Sequence, residues 1–181
     1  MATTASARRI ASGIYRRLNR NSTWGFPWQR SGDFVTFRWD GFVAAPSIPL
    51  LFARHHYETA VIDQLLGDAN VQRSLEFGCG FGRLTSTFVR LSGHHTAIDI
   101  DEKALAAARA AYPDYSFRLF DGRRLPFADD AFDLVVSWTV LQHITPEFIE
   151  DALVEILRVL GSGGRLLLCE ETRSPGDPTQ H

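Results

Sequence analysis

Three glycines at alternate positions, Gly78, Gly80 and Gly82, directly follow the apolar run Val71 to Phe77. Without a Cβ the backbone can turn sharply and approach a ligand closely just before a helix begins, so this is a binding loop. Two acids follow it at predicted strand ends, Asp99 and Asp121. An ionised carboxylate offers two acceptor oxygens, which suits recognition of hydroxyls or an amine. The loop departs from the dinucleotide fingerprint G-x-G-x-x-G, because counting from Gly78 places Arg83 where the third glycine belongs. NAD is therefore disfavoured on spacing, although an acid near the end of the second strand serves ribose recognition in either kind of site. The pairs His55-His56 and His94-His95 lack the i, i+4 placement that brings two imidazoles to one metal, and no metal is expected. Cys79 and Cys169 are the only cysteines, too few for a disulfide framework, and both are expected as reduced thiols. Cys79 sits inside the glycine loop, open to thiol reagents but without an adjacent histidine base to make it a nucleophile.

The elements that must carry these residues alternate regularly from Val71 onward. A strand over Val71 to Phe77, a helix over Leu84 to Leu91 and a strand over His95 to Ile100 make a β-α-β unit. A helix over Glu102 to Ala111, strands over Tyr115 to Phe120 and Phe132 to Trp138, a helix over Glu147 to Leu160 and a strand over Arg165 to Glu170 follow. Such alternation predicts an α/β fold, a Rossmann-like doubly wound and mostly parallel sheet with helices on both faces. Asp101 and Glu102 read as a helix cap, and Asp129, Asp130 and Asp133 as turn and strand-start residues.

The chain has 181 residues, enough for one domain with a sizeable core. Its formal charge of -2 is uneven: residues 1 to 30 hold six arginines and no acid. Residues 1–22 read as a basic flexible tail, with an organellar transit peptide and a lipid-resting helix presenting Ile10, Ile14 and Leu18 as alternatives. Residues 23–49 form an aromatic segment, either packed on the main domain or capping an organic substrate. A helix should run from Leu50 to about Leu66, residues 50–172 form the main domain, and 173–181 a polar tail. The acidic body argues against nucleic acid, and no apolar run approaches the roughly 20 residues of a membrane span. A cytoplasmic location is expected.

Four stretches together resemble class I S-adenosylmethionine-dependent methyltransferases, in the small-molecule, methyltransferase type 11-like branch related to the ubiquinone and sterol enzymes. They are Leu-Glu-Phe-Gly-Cys-Gly-Phe-Gly at 75 to 82, Ala-Ile-Asp-Ile-Asp at 97 to 101, Phe-Asp-Gly-Arg-Arg-Leu-Pro-Phe-Ala-Asp-Asp-Ala-Phe-Asp-Leu-Val-Val-Ser at 120 to 137, and Arg-Val-Leu-Gly-Ser-Gly-Gly-Arg-Leu-Leu-Leu at 158 to 168. The resemblance implies S-adenosylmethionine as cofactor and a small organic methyl acceptor. It implies that Glu76 helps hold the methionine amine and that the Gly78, Cys79, Gly80 and Gly82 backbone lines the cofactor. It further implies that Asp99 accepts from the ribose hydroxyls, Asp121 from the adenine amine, and that the Gly122 N–H lies near a ring nitrogen. Ile100 and Leu125 would sandwich the adenine. Ser137 and Trp138, at the end of the fourth strand, would lie near the cofactor, Trp138 having core packing as an equal alternative. Arg54 and Tyr57 would reach the methionine end or else form a solvated helix face. His143, just beyond the fourth strand, is the candidate general base, with a purely structural role as the alternative.

The chain departs from the family after Glu170, where no room remains for the last two strands of the full fold. The exposed edge of the fifth strand is expected to be covered by residues 34 to 43 or by a partner, such as a second copy in a homodimer. Two functions stay open: an active methyltransferase, or a cofactor-binding but catalytically silent partner of another methyltransferase.

Overall fold

The computed structural model describes residues 4–18, 28–31, 34–37 and 48–170. Its centre is five parallel strands: β3 (Val71–Phe77), β4 (Ser92–Asp99), β5 (Ser116–Leu119), β6 (Phe132–Trp138) and β7 (Leu160–Cys169). With β1 (Trp28–Ser31) and β2 (Phe34–Phe37) the described sheet runs β1-β2-β7-β6-β3-β4-β5. The helices are α1 (Thr4–Leu18), α2 (Ile48–Leu66), α3 (Thr85–Leu91), α4 (Glu102–Ala111) and α5 (Pro146–Val159). Because β3 lies between β4 and β6, the chain departs from it in one direction and returns on the other side. Such a reversal opens a crevice at the carboxyl ends of the strands, where the glycine loop, Asp99 and Trp138 all fall.

Local sequence explains the elements. Leu134, Val135 and Val136 of β6 are fully buried, as expected of a central parallel strand covered on both faces. Asp133, at the solvent end, accepts from the backbone N–H groups of Gln72 and Arg73 at 3.1 and 2.8 Å and so sets the start of β3. Asp101 caps α4 by accepting from the N–H groups of Lys103 and Ala104, as its type predicts. Ala104, Leu105 and Ala108 then form the buried face of that helix. In α5 the buried residues Ile149, Leu153, Ile156 and Val159 recur at helical spacing.

Strand boundaries differ by more than one residue at two places. β4 begins at Ser92 rather than His95, because α3 runs straight into it and Ser92 pairs with Val71. β7 begins at Leu160, and the Gly161–Gly164 stretch is taken up as an irregularity between the pairs Phe132↔Leu160 and Leu134↔Arg165. The edge of β7 is met within the chain: β2 pairs in parallel with it at Thr36↔Leu168 and Phe37↔Cys169, and β1 pairs antiparallel to β2. This is one of the two covers expected for that edge. The remainder of 34 to 43, most of the aromatic segment and the tail 173–181 lie outside the described residues.

The largest departure concerns the basic terminus. Over Thr4–Leu18 the structure replaces the flexible tail by a helix docked on α5. Ala11 and Ile14 are buried in the main core, while Ile10 is 39% exposed, so the packed stripe is rotated from the expected one. Ser12 donates to Glu150 at 2.9 Å, and Arg8 pairs with Asp151 at 3.1 Å. The helix was among the alternatives, but its docking was not, because its stability comes from a second apolar stripe on α5, and an isolated helix of this length is marginal in water. Ile14→Ala should cost about 2–4 kcal/mol by loss of buried area and a residual cavity. Denaturant unfolding checks this; a loss below about 0.5 kcal/mol would mean that the helix does not dock in solution.

Candidate functional site

The glycine loop is fastened to β4 by three successive backbone donors. Gly78 and Cys79 both donate to the Ile98 carbonyl at 2.9 Å, and Gly80 donates to Asp99 Oδ2 at 2.7 Å. Asp99 Oδ1 accepts from the Asp101 N–H at 2.9 Å. Gly78 has φ +76°, and a Cβ there would lie 2.5 Å from the Val140 methyls, so the loop packs on the segment after β6. Gly80 has φ +54° with nothing within 4 Å of a Cβ position, which leaves its backbone open to a ligand. Ile100 is 65% exposed, and Gly122 lies against it, its Cβ position 3.5 Å from Ile100 Cγ2. Gly78, Gly80, Asp99, Ile100 and Gly122 thus come together at the carboxyl ends of β3, β4 and β5.

Asp121 is exposed and accepts from the N–H groups of Arg123 and Arg124 at 2.9 and 3.2 Å. These donors hold its carboxyl below the usual range. The loop beyond is tied to α5. Arg158 donates to the carbonyls of Leu125 and Phe127 at 2.9 and 2.8 Å and to Asp129 at 2.9 Å, while Glu155 accepts from the Leu125 N–H at 2.9 Å. The same arrangement buries Leu125 in the main core at 2% exposure, which corrects its expected place on the adenine. Of the expected sandwich only Ile100 offers an open apolar face.

Three glutamates behind this edge are buried. Glu58, on α2, accepts from Arg54 Nε at 2.8 Å, from Arg83 Nη1 and from Trp138 Nε1 at 3.0 Å. Burial opposes its ionisation, but the two guanidinium groups and the indole N–H outweigh that and hold its carboxyl below the usual range. Glu76 accepts from Thr85 Oγ1 at 2.6 Å and faces His95 Nε2 at 3.4 Å, both through Oε2. Glu170 accepts from Ser137 Oγ at 2.7 Å and from the Gln142 N–H at 3.4 Å. Its burial pushes the carboxyl up to about 7, against the opposing effect of Ser137 and the backbone of Val140 to Gln142.

Several expected contacts are redirected by this buried layer. Ser137 is fully buried and its hydroxyl is committed to Glu170, so it acts on the loop after β6 rather than through a free hydroxyl. Trp138 is buried at 6% with its N–H on Glu58, which favours the packing alternative. Arg54 is paired with Glu58, whereas Tyr57 is 38% exposed. Cys79 is buried, and burial together with the charges of Glu76 and Asp99 pushes its thiol above the usual range, contrary to the expected access of thiol reagents. His143 is exposed in the 3-10 turn Leu141–His143 and reaches Gln142 Nε2 at 3.4 Å. That turn follows Thr139 at φ +59°, a costly conformation for a β-branched residue. Glu58 and Glu170 were missed by sequence reasoning because a lone glutamate on a helix or at a strand end carries no signal of burial.

Glu170 makes a pH prediction. Its folded value of about 7 lies above the ordinary 4.5, so between these values the folded chain binds more protons than the unfolded chain. Stability therefore falls as pH rises through that window, by about 3 kcal/mol on this account. Glu170→Gln keeps an acceptor for Ser137 and should flatten the decline, raising the melting temperature relative to the native chain at pH 8. Equal pH profiles for both proteins would refute the assignment.

Comparison with known proteins accords with this geometry. The sequence profile of a family described as "Methyltransferase domain" matches residues 75–168. A demethylmenaquinone methyltransferase of Tropheryma whipplei (strain Twist) is 34% identical over 110 residues, covering 59% of this chain and 45% of that protein. The chain thus spans about half the length of this curated relative. An S-adenosylmethionine dependent methyltransferase structure from Mesorhizobium loti aligns with TM-score 0.52 and 25% identity, over 65% of this chain and 54% of that one. The [4+2]-cyclase SpnF aligns over 97% of this chain and 63% of its own, with TM-score 0.59 and 21% identity, a likeness of fold alone. From the matched profile and the glycine-loop edge that it covers, the chain belongs to the class I S-adenosylmethionine-dependent methyltransferase family.

Proposed function

We propose that this chain uses S-adenosylmethionine to methylate a small organic acceptor. The observation that carries the proposal is the open Gly80 backbone beside the Asp99 carboxylate and the exposed Ile100 face. These residues fit the adenosyl group: a backbone free of side chains, an acceptor pair for ribose and an apolar surface for the base. Each carboxylate oxygen of Asp99 takes one backbone N–H and has capacity for one more donor. Asp121 and the Gly122 N–H would read the adenine edge, and Glu76 would meet the methionine amine. The backbone of Cys79 and Gly82 would line the loop side, and Tyr57 would approach from α2. Ser137 and Trp138 would act from behind, by placing the β6 loop and α2.

When bound, the cofactor supplies an electrophilic methyl group on a sulfonium. The protein's part is to align an acceptor lone pair behind that carbon and to exclude water. A hydroxyl or acidic C–H acceptor also has to lose a proton, and His143, exposed on the loop that packs against Gly78 through Val140, would be the group that takes it. The silent-subunit alternative rested on the missing terminal strands; the edge they would cover is met in part by β2, which pairs with β7 at Thr36↔Leu168 and Phe37↔Cys169.

Calorimetric titration with S-adenosylhomocysteine, S-adenosylmethionine and NAD tests the cofactor reading. The adenosyl ligands should bind and NAD should not, and Asp99→Ala should weaken binding by about tenfold or more through loss of charge-assisted hydrogen bonds. A folded chain that binds none of them would overturn the proposal. Once an acceptor is found, His143→Gln should lower kcat about 100-fold while leaving the affinity for S-adenosylhomocysteine unchanged. An undiminished kcat would remove His143 as the base.

A further inference from the structure

A continuous line of polar groups runs from α3 and the start of β4 to Glu76, beneath the glycine loop. Ser92 Oγ donates to the Phe88 carbonyl at 3.0 Å and lies 2.7 Å from Ser74 Oγ. Ser74 Oγ lies 2.7 Å from His95 Nδ1, and the other ring nitrogen, Nε2, faces Glu76 Oε2 at 3.4 Å. Thr85 Oγ1 closes the line on the same oxygen at 2.6 Å. The His95 side chain is 1% exposed, and its ring stacks on Phe88 with centroids 5.9 Å apart. Ser74, Thr85 and Phe88 are fully buried.

An apolar side chain at position 95 would be the ordinary choice for a strand covered by α3. A buried imidazole needs a partner for each ring nitrogen, and here both are provided, one by a serine and one by a carboxylate. The ring is fixed from two sides, by Ser74 at its Nδ1 edge and by Phe88 across its face, so its Nε2 edge has one direction left. That direction is Glu76, two residues before the loop that Gly78 opens. At 3.4 Å the contact is at the outer limit of a hydrogen bond, so its effect is placement of the carboxylate more than binding strength. Such support of a ligand-facing group by a histidine and its own hydrogen-bonded partner is how sites hold a side chain within a fraction of an ångström.

We propose that His95 is a positioning residue for the amino-acid end of the cofactor: anchored by Ser74, Ser92 and Phe88, it holds the Glu76 carboxylate under the glycine loop. This rests on the reading of Glu76 as the group that meets the methionine amine. The action of His95 should therefore be felt by ligands that carry the amine and not by those that lack it.

The experiment compares S-adenosylhomocysteine with 5′-methylthioadenosine, which keeps the adenosyl and sulfur but has neither the α-amine nor the carboxylate of the amino-acid end. Dissociation constants are measured for the native chain, His95→Phe and His95→Gln, with folding checked by circular dichroism. His95→Phe keeps the stacking on Phe88 and removes both hydrogen bonds. It should weaken S-adenosylhomocysteine about tenfold and leave methylthioadenosine within about twofold, while His95→Gln, whose amide N–H can still donate to Glu76, restores most of the loss. Equal weakening of both ligands, or no change in either, would overturn the proposal. If His95→Phe does not fold, the same split is expected of Ser74→Ala, which frees the ring at Nδ1. Failure of the native chain to bind either ligand would instead strike the cofactor reading itself, so the two failures are distinguishable.

Discussion

The site depends on three consecutive N–H groups of the glycine loop being bound by two consecutive residues of β4. Gly78 and Cys79 share the Ile98 carbonyl, and Gly80 takes the Asp99 carboxylate. This can occur only because β3 and β4 are neighbouring parallel strands ending at the same level, with Phe77 paired to Ile98. It also requires a residue without a Cβ at position 78, where any side chain would enter Val140. The loop is therefore a joint among β3, β4 and the segment after β6, and the same joint leaves Gly80 open. A carboxylate that both pins the loop and retains acceptor capacity is in place before a ligand arrives, which is the condition for binding without reorganisation.

Behind that open edge lies a layer of buried carboxyl groups, each accommodated differently. Glu58 stays ionised because two arginines and an indole converge on it. Glu170 meets neutral donors, and burial is answered by a rise to about 7. Glu76 stands between a threonine and a histidine whose other nitrogen is also engaged. The elements they join are the ones that border the crevice: α2 with the glycine loop and β6, β3 with α3 and β4, and β6 with β7. Burying charge is costly, so such groups are better understood as fixing the position of elements than as adding to stability.

The fold does not specify the reaction. A cyclase aligns over 97% of the chain, and a demethylmenaquinone methyltransferase is 34% identical to it over 110 residues. What the shared core supplies is a place for an adenosyl group; the fold by itself names no acceptor.

Much of this was legible in the sequence. The alternation of periods gave the five parallel strands and their helices, and the glycine spacing with Asp99 and Asp121 marked the candidate edge at the carboxyl ends of the strands, since backbone geometry and strand ends leave local traces. Asp101 as a helix cap was legible for the same reason. Only the tertiary structure decided what depends on contacts between distant residues. It docked α1 through Ala11 and Ile14 on α5 and placed Thr36 and Phe37 on the edge of β7. It took Leu125 into the core and turned Ser137 and Trp138 toward Glu170 and Glu58. A carboxylate's type is written in the sequence, but its burial and its partners exist only after the strands have been laid side by side.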